Sequence, residues 1–178
     1  MNEQAIMQES TVTPTSVGVR YGLIIGLVYV FFQVITYITY TSTNWKVGLI
    51  GFVILIVGIV FAYKYFKANN NGFMKYSQGL GIGTLAGLVA GILTAIVSYF
   101  YIEFIDPSVL ENMKQAQIEM MEGFNLPEEQ MDKFIEDLEN KTTALRQAIN
   151  QIIGLPIIAF ILSLIIAAIM KRSQPEFE

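Results

Sequence analysis

The stretch Gly79-Leu-Gly-Ile-Gly83-Thr-Leu-Ala-Gly87-Leu-Val-Ala-Gly91-Ile-Leu-Thr-Ala95, continued by apolar residues to Ile102, decides the fold class. It holds no charged side chain and exceeds the roughly 20 residues a helix needs to cross a hydrocarbon core about 30 Å thick. Gly79, Gly83, Gly87, Gly91 and Ala95 fall four apart, so they share one helix face and leave a flat groove along it. Lipid tails give helices little hydrophobic reason to associate, and close backbone approach over small residues supplies the missing attraction. The groove therefore predicts a membrane helix packed tightly on a neighbour. That neighbour is another span of the same chain, or a second copy; a pore lined by the small face is the remaining geometry.

Three further runs have spanning length. Residues 17–40 carry charge only at Arg20, and residues 47–66 only at Lys64, where it can snorkel together with Lys67. Residues 149–170 are free of charge and closed by Lys171 and Arg172. The first of these repeats the small-residue device with Gly18, Gly22 and Gly26. The expected fold is all-α: an integral membrane bundle of four transmembrane helices, with an extramembrane helical hairpin between helices three and four. Its parts are a polar N-terminal tail (1–16), spans one to three (about 17–40, 47–66 and 79–102), an acidic insertion (103–148), span four (149–170) and a C-terminal tail (171–178).

Composition agrees. Apolar residues make up 53% and charged ones 15% of the chain, with a mean hydropathy of +0.51, which sets it apart from soluble domains. The chain has no Cys, which removes disulfides, thiolate metal sites and thiol chemistry. It has no His, which removes the commonest metal ligand and the usual neutral-pH acid/base. No catalytic constellation, cofactor motif or metal-ligand set is evident, so the chain reads as a non-enzyme. A net charge of −4 argues against nucleic acid, which demands clustered cations.

The first residues include Glu3 and Glu9 where a cleavable signal would carry basic ones, so the first span is expected to act as an uncleaved insertion signal. Arg20, Lys64, Lys67, Lys75, Lys171 and Arg172 lie near span ends on the side of the termini, against Lys46 and Arg146 on the other. The positive-inside rule then puts both termini in the cytoplasm and the insertion outside. Tyr37, Tyr40, Trp45, Tyr99 and Tyr101 form one aromatic belt, and Tyr21, Tyr63, Tyr65 and Tyr76 the other.

The insertion opens with Asp106-Pro107-Ser108, a cap followed by Pro at the first helical position. Leu110, Met113, Met120, Met121 and Phe124 follow at mostly helical spacing, and Gly123 can end that helix. A second start, Asn125-Leu126-Pro127-Glu128-Glu129, leads into the stripe Met131, Phe134, Ile135 and Leu138. Thr142 or Thr143 is placed to cap a helix running straight into span four, which Gly154 and Pro156 are expected to bend. The acidic residues of the insertion lack the Asp-x-Asp-x-Asp-Gly spacing of a calcium loop. Glu129 with Lys133 and Asp137 with Lys141 are four apart, as on a solvated face. Its methionines suit adaptable packing better than copper ligation.

Spans one and three resemble each other: Gly22-Leu-Ile-Ile-Gly26-Leu-Val aligns with Gly83-Thr-Leu-Ala-Gly87-Leu-Val, and Tyr40 falls opposite Tyr101. This suggests two parallel helix pairs, as in some transporters. Polar residues at membrane depth are mild (Gln33, Thr36, Thr39, Thr84, Thr94, Ser98, Ser163) and read as interhelical hydrogen bonds. No charge sits mid-span, which weighs against ion-coupled transport.

Phe73-Met-Lys-Tyr-Ser-Gln-Gly79-Leu-Gly-Ile-Gly83, then Tyr99-Phe-Tyr-Ile-Glu-Phe-Ile-Asp106-Pro107 and a Met- and Glu-rich insertion, resemble the bacterial membrane family catalogued as domain of unknown function 4199. The resemblance runs from Arg20 to Arg172 and is most specific over residues 72–110. It implies a four-span inner-membrane protein of a Gram-negative bacterium with no established activity, and it transfers no site residue. The functional expectation is an interaction or structural membrane component that uses its outer hairpin. Its partners would be the lipid bilayer and either a second copy or an unidentified membrane or periplasmic protein. A small permease or channel subunit built from two helix pairs is the alternative. A membrane enzyme acting on lipid has only Glu103 and Asp106 near the interface to support it, and a helix cap accounts for those.

Overall fold

The computed structural model describes residues 12–124 and 127–173. Six α-helices follow in order: α1 (Pro14–Ile38), α2 (Trp45–Ala68), α3 (Tyr76–Phe100), α4 (Ser108–Glu122), α5 (Glu128–Lys141) and α6 (Ala144–Met170). There is no strand among the described residues. Most of the N-terminal tail, the Asn125-Leu126 start ahead of α5 and the last residues of the C-terminal tail lie outside the described residues.

Each long helix begins ahead of its apolar stretch, and α1, α2 and α6 do so at a polar side-chain cap, while α1 ends at Ile38, short of residue 40. Thr13 accepts from the Ser16 amide at 3.1 Å, with Pro14 at the first helical position. Asn44 accepts from Lys46 at 3.0 Å and starts α2. Thr143 accepts from Arg146 at 3.2 Å, so α6 begins ahead of residue 149 and passes unbroken through Pro156. α3 continues into one π-helical turn, Tyr101–Ile105, which closes with the Asp106 amide on the Tyr101 carbonyl at 2.9 Å. Single π turns are uncommon and re-aim the residues beyond them.

α1, α2, α3 and α6 are each long and apolar enough to cross a membrane. Their outward faces are apolar, with Phe31 71%, Ile169 78% and Phe61 55% exposed. Apolar surface on all sides of a bundle requires lipid, because a soluble monomer exposes only a few hundred Å² in any one patch. α3 is the centre, in extensive contact with α1 and with α6; α2 lies against α1 and touches α3 and α6 more lightly.

The two ends of the bundle differ. At the end carrying Thr13 and Met170, the turn after α2 takes left-handed backbone at Asn71 and Gly72. Met74 pairs with Arg172 through two 2.9 Å backbone hydrogen bonds, Lys67 donates to the Met170 carbonyl at 3.1 Å, and Arg20 reaches the Tyr65 hydroxyl at 2.8 Å. Leu55, Ile59, Ala62, Tyr63 and Phe66 of α2 are fully buried toward this end. Toward the other end α2 buries only Gly51, while Leu49, Ile50 and Trp45 stay exposed. The bundle is tight where the termini lie and splayed where α4 and α5 attach.

Candidate functional site

Small residues set how closely α3 approaches its two main neighbours, and α3 uses different faces for each. A β-carbon placed on Gly79 would fall 2.8 Å from the Ala167 β-carbon; on Gly83 it would collide with the Ser163 hydroxyl, and on Gly87 with the Ala159 methyl. On Gly91 it would reach the Gln151 carbonyl at 2.8 Å. This face seats α6, antiparallel. Ala95 continues it and is buried. Gly18, Gly22 and Gly26 of α1 instead meet α3 beside Leu85, Val89 and Leu93, with contacts for an added β-carbon at 3.0, 2.7 and 2.7 Å. The order of these contacts makes α1 and α3 parallel.

The aligned glycines of the two spans therefore do not hold equivalent places: Gly22 faces α3, whereas Gly83 faces α6. The Tyr101 ring meets that of Tyr37, with centroids 5.4 Å apart. Most of the membrane-depth hydroxyls also differ from expectation. Thr36, Thr39, Thr84 and Thr94 bond carbonyls of their own helices, a local solution open to any Ser or Thr in a helix. Ser98 is the interhelical one, 2.8 Å from the Tyr37 hydroxyl.

Where the bundle splays, a cavity of about 360 Å³ opens between α1, α2 and α6. Thr94 of α3 is its floor and Met113 of α4 lies at its roof; Tyr29, Phe32, Phe52, Leu155 and Ile158 supply apolar wall. Gln33 donates to the Tyr37 hydroxyl at 2.8 Å, which continues to Ser98. Gln33 and Gln151 are among the lining residues, while their amide oxygens lie below the surface, buried without a hydrogen-bond partner. Such acceptors are rare, since an unmet buried group costs about 1–3 kcal/mol. Gly48 and Gly154 also line the cavity, and a β-carbon on either would meet nothing within 4 Å. Of the two glutamines sequence reasoning singled out Gln33 for its polarity at depth; Gln151 sat at a span edge, where a polar side chain signals only a boundary.

The expected insertion stripe divides. Leu110 and Met113 pack with buried Val109 against Tyr37, Tyr101, Ile102 and Ala144, anchoring the first half of α4. Val109 was absent from the expected stripe because it precedes the regular spacing. Met121, Met131, Phe134 and Ile135 are half-buried and Leu138 is buried. Met120 and Phe124, the remaining members of the expected stripe, are 62% and 67% exposed. A second hollow, lined by Gln117, Phe134, Asp137, Leu138, Lys141 and Arg146 among others, lies beneath α5. Lys133 pairs with Glu129 at 2.7 Å and Lys141 with Asp137 at 2.8 Å, all exposed, so these pairs add little stability.

Asp106 caps α4, accepting from the Ser108 amide at 3.1 Å and from the Ser108 and Tyr40 hydroxyls. The Ser108 hydroxyl chiefly holds its carboxyl below the usual range, aided by Tyr40 and the Ser108 amide, against partial desolvation. Because the folded value is depressed, the cap's contribution is complete above the unfolded carboxylate value of about 4 and is lost as pH falls through the folded one. The Ser108 amide chemical shift should titrate with a midpoint below 3.8, and in Asp106→Asn that titration should vanish; a midpoint at or above 3.8 would show that the hydroxyls do not favour the charged form.

Four apolar helices of spanning length, wrapped in exposed apolar side chains around a small-residue centre, define a multi-pass helical membrane protein. The chain belongs to the family described as Protein of unknown function (DUF4199), whose model matches residues 20–172. No curated protein and no solved structure matches it.

Proposed function

We propose that the protein is a non-enzymatic membrane component of the bacterial inner membrane, acting through contacts made by the hairpin of α4 and α5. The observation that carries this reading is the contrast along α4: Val109, Leu110 and Met113 fix its base, while Met120 in its last turn and Phe124 just past its end are exposed apolar side chains. Large apolar residues held outward on an otherwise charged helix suit a protein interface, where a few such side chains dominate binding. The partner is a second copy or another membrane or periplasmic protein. A photoreactive amino acid at position 124 should give a discrete adduct in native membranes. A doubled mass identifies a self-contact and any other discrete mass a separate partner; an absence of protein adducts refutes the reading.

The orientation proposed with it has both termini in the cytoplasm, supported by Arg20, Lys64, Lys67, Lys75, Lys171 and Arg172 at one end of the bundle. In intact spheroplasts, Cys at Glu129 should react with an impermeant thiol reagent and Cys at Asn70 should not. The reverse pattern inverts the protein.

One observation favours a second reading, a small permease: a cavity of about 360 Å³ among the spans, lined by Gln33, Asn150 and Gln151 beside apolar residues. Proteoliposomes that pass a neutral solute faster than empty vesicles would favour it over the first.

A further inference from the structure

We propose that two adjoining hollows at the α4–α5 end of the bundle form one binding site for a single-chain amphiphile with an anionic head, a carboxylate or a phosphate. The inference goes beyond the hairpin reading and requires no passage across the membrane, so neither function proposed above decides it.

The head site is the hollow of about 290 Å³ beneath α5, beside the first turns of α6. Its charged lining is Asp137, Lys141 and Arg146; Asp137 holds Lys141 at 2.8 Å, so one positive charge is left over. Arg146 carries it. Lys114, Lys133 and Lys141 each hold a carboxylate, at 3.7, 2.7 and 2.8 Å, whereas the Arg146 guanidinium has no acid partner among the described residues. An occupant that covers Arg146 takes water from its N–H groups and must replace it with acceptors. The planar fork of a guanidinium matches two oxygens of one carboxylate or phosphate, which fixes the chemistry of the head.

The tail site is the cavity of about 360 Å³ between α1, α2 and α6, which no Asp, Glu, Lys or Arg lines. Its hydroxyls are spent inside the protein: Tyr29 donates to the Gly51 carbonyl at 2.6 Å, Thr36 and Thr94 bond carbonyls of their own helices, and Tyr37 pairs with Ser98. With the Gln33 and Gln151 oxygens below the surface, the wall is mainly Phe32, Phe52, Leu155 and Ile158, which suits a hydrocarbon chain. The volume lies at the small end of ligand pockets and takes one chain, not the two of a phospholipid.

The two hollows meet. Asn150 lines both, and Gln147 of the head site donates at 3.4 Å to the sulfur of Met113, which lines the tail site. Arg146 precedes the uncharged run of α6, while Leu155 and Ile158 lie within it, so the head site falls at the interface and the tail site at membrane depth. That is how a lipid lies in its leaflet. α2 touches α6 only slightly, and Gly48 and Phe52 of α2 are exposed beside the cavity, so the gap between these helices admits a molecule from the bilayer.

The test uses the full chain in phosphatidylcholine vesicles and three probes of about twelve carbons with a diazirine near the chain end: a carboxylate, a phosphate monoester and a trimethylammonium. On illumination at equal membrane loading, at least one anionic probe should label the α1 and α6 segments around Phe32 and Ile158 at least fivefold more than the cationic probe. Labelling by the carboxylate alone assigns a fatty-acid head, and by the phosphate alone a phosphate head. Arg146→Gln should leave thermal melting unchanged and bring anionic labelling down to the level of the cationic probe. Gly154→Leu enters the tail site where a β-carbon meets nothing within 4 Å, so it should also leave melting unchanged and cut anionic labelling at least tenfold. Equal labelling by anionic and cationic probes in the unaltered protein, or full anionic labelling in either variant, overturns the proposal.

Discussion

Gly87→Leu is expected to lower stability by about 3 kcal/mol or more, at the upper end of what overpacking a close-packed interior costs. Even a bare β-carbon at this position collides with the Ala159 methyl and comes within 3.0 Å of the Leu155 carbonyl, so the leucine has no rotamer that avoids α6. Neither obstacle is a flexible side-chain tip. Relief therefore requires α6 to move away from α3, which also opens the neighbouring contacts at Gly83 and Gly91. Without hydrophobic drive between helices in lipid, the lost close contact is not replaced. Gly81→Leu is the matched control: it adds the same bulk to the same helix where nothing lies within 4 Å, and it should be near neutral. Melting curves of both variants in detergent check the claim. A melting point for Gly87→Leu equal to that of Gly81→Leu would show that the α3–α6 seam is not close-packed.

Tyr63→Ala is expected to cost about 3–5 kcal/mol, the range for emptying a large buried aromatic site. Tyr63 is fully buried, and its ring lies where α2 meets the α3–α6 seam: its hydroxyl donates to the Gly79 carbonyl at 2.7 Å, within 3.0 Å of where a Gly83 β-carbon would lie. α2 has few other anchors, because its burial is concentrated toward the terminal end of the bundle. Truncation leaves a hole in the buried cluster that includes Ala62, Phe66, Met74 and Ala167. Tyr63→Phe separates the ring from its hydroxyl and should cost about 1 kcal/mol, the usual worth of one neutral hydrogen bond. Should Tyr63→Phe destabilise as much as Tyr63→Ala, the hydrogen bond to Gly79 would be the anchor and the packing incidental.

Both predictions concern residues whose importance was unequally legible. Gly87 announced itself, because small residues four apart in an uncharged span have few other uses. Which helix the ladder seats was not legible: span one carries a glycine ladder of its own, and pairing the two by their similarity would have been wrong. Tyr63 read as one member of an aromatic belt, since a tyrosine near a span end normally marks an interface. In the structure its hydroxyl turns inward onto Gly79, a choice made by the open groove on α3 and invisible from position alone. The cavity was less legible still. It depends on α2 leaning away at one end, and no local pattern encodes the angle between helices joined by a short turn.

The sequence by itself determined the solvent and the number of spans. Both are local, resting on runs of uncharged residues long enough for the hydrocarbon layer; of the polar caps at Thr13, Asn44 and Thr143 that satisfy orphan amides, only Thr143 was among the expected ones. Only the tertiary structure decided that α3 is the hub, that its glycines serve α6 while its Ala86 and Ala90 serve α1, and that Gln33 and Gln151 line a common space. These are relations between segments far apart in the chain, set by which faces fit when four helices compete for the same neighbours.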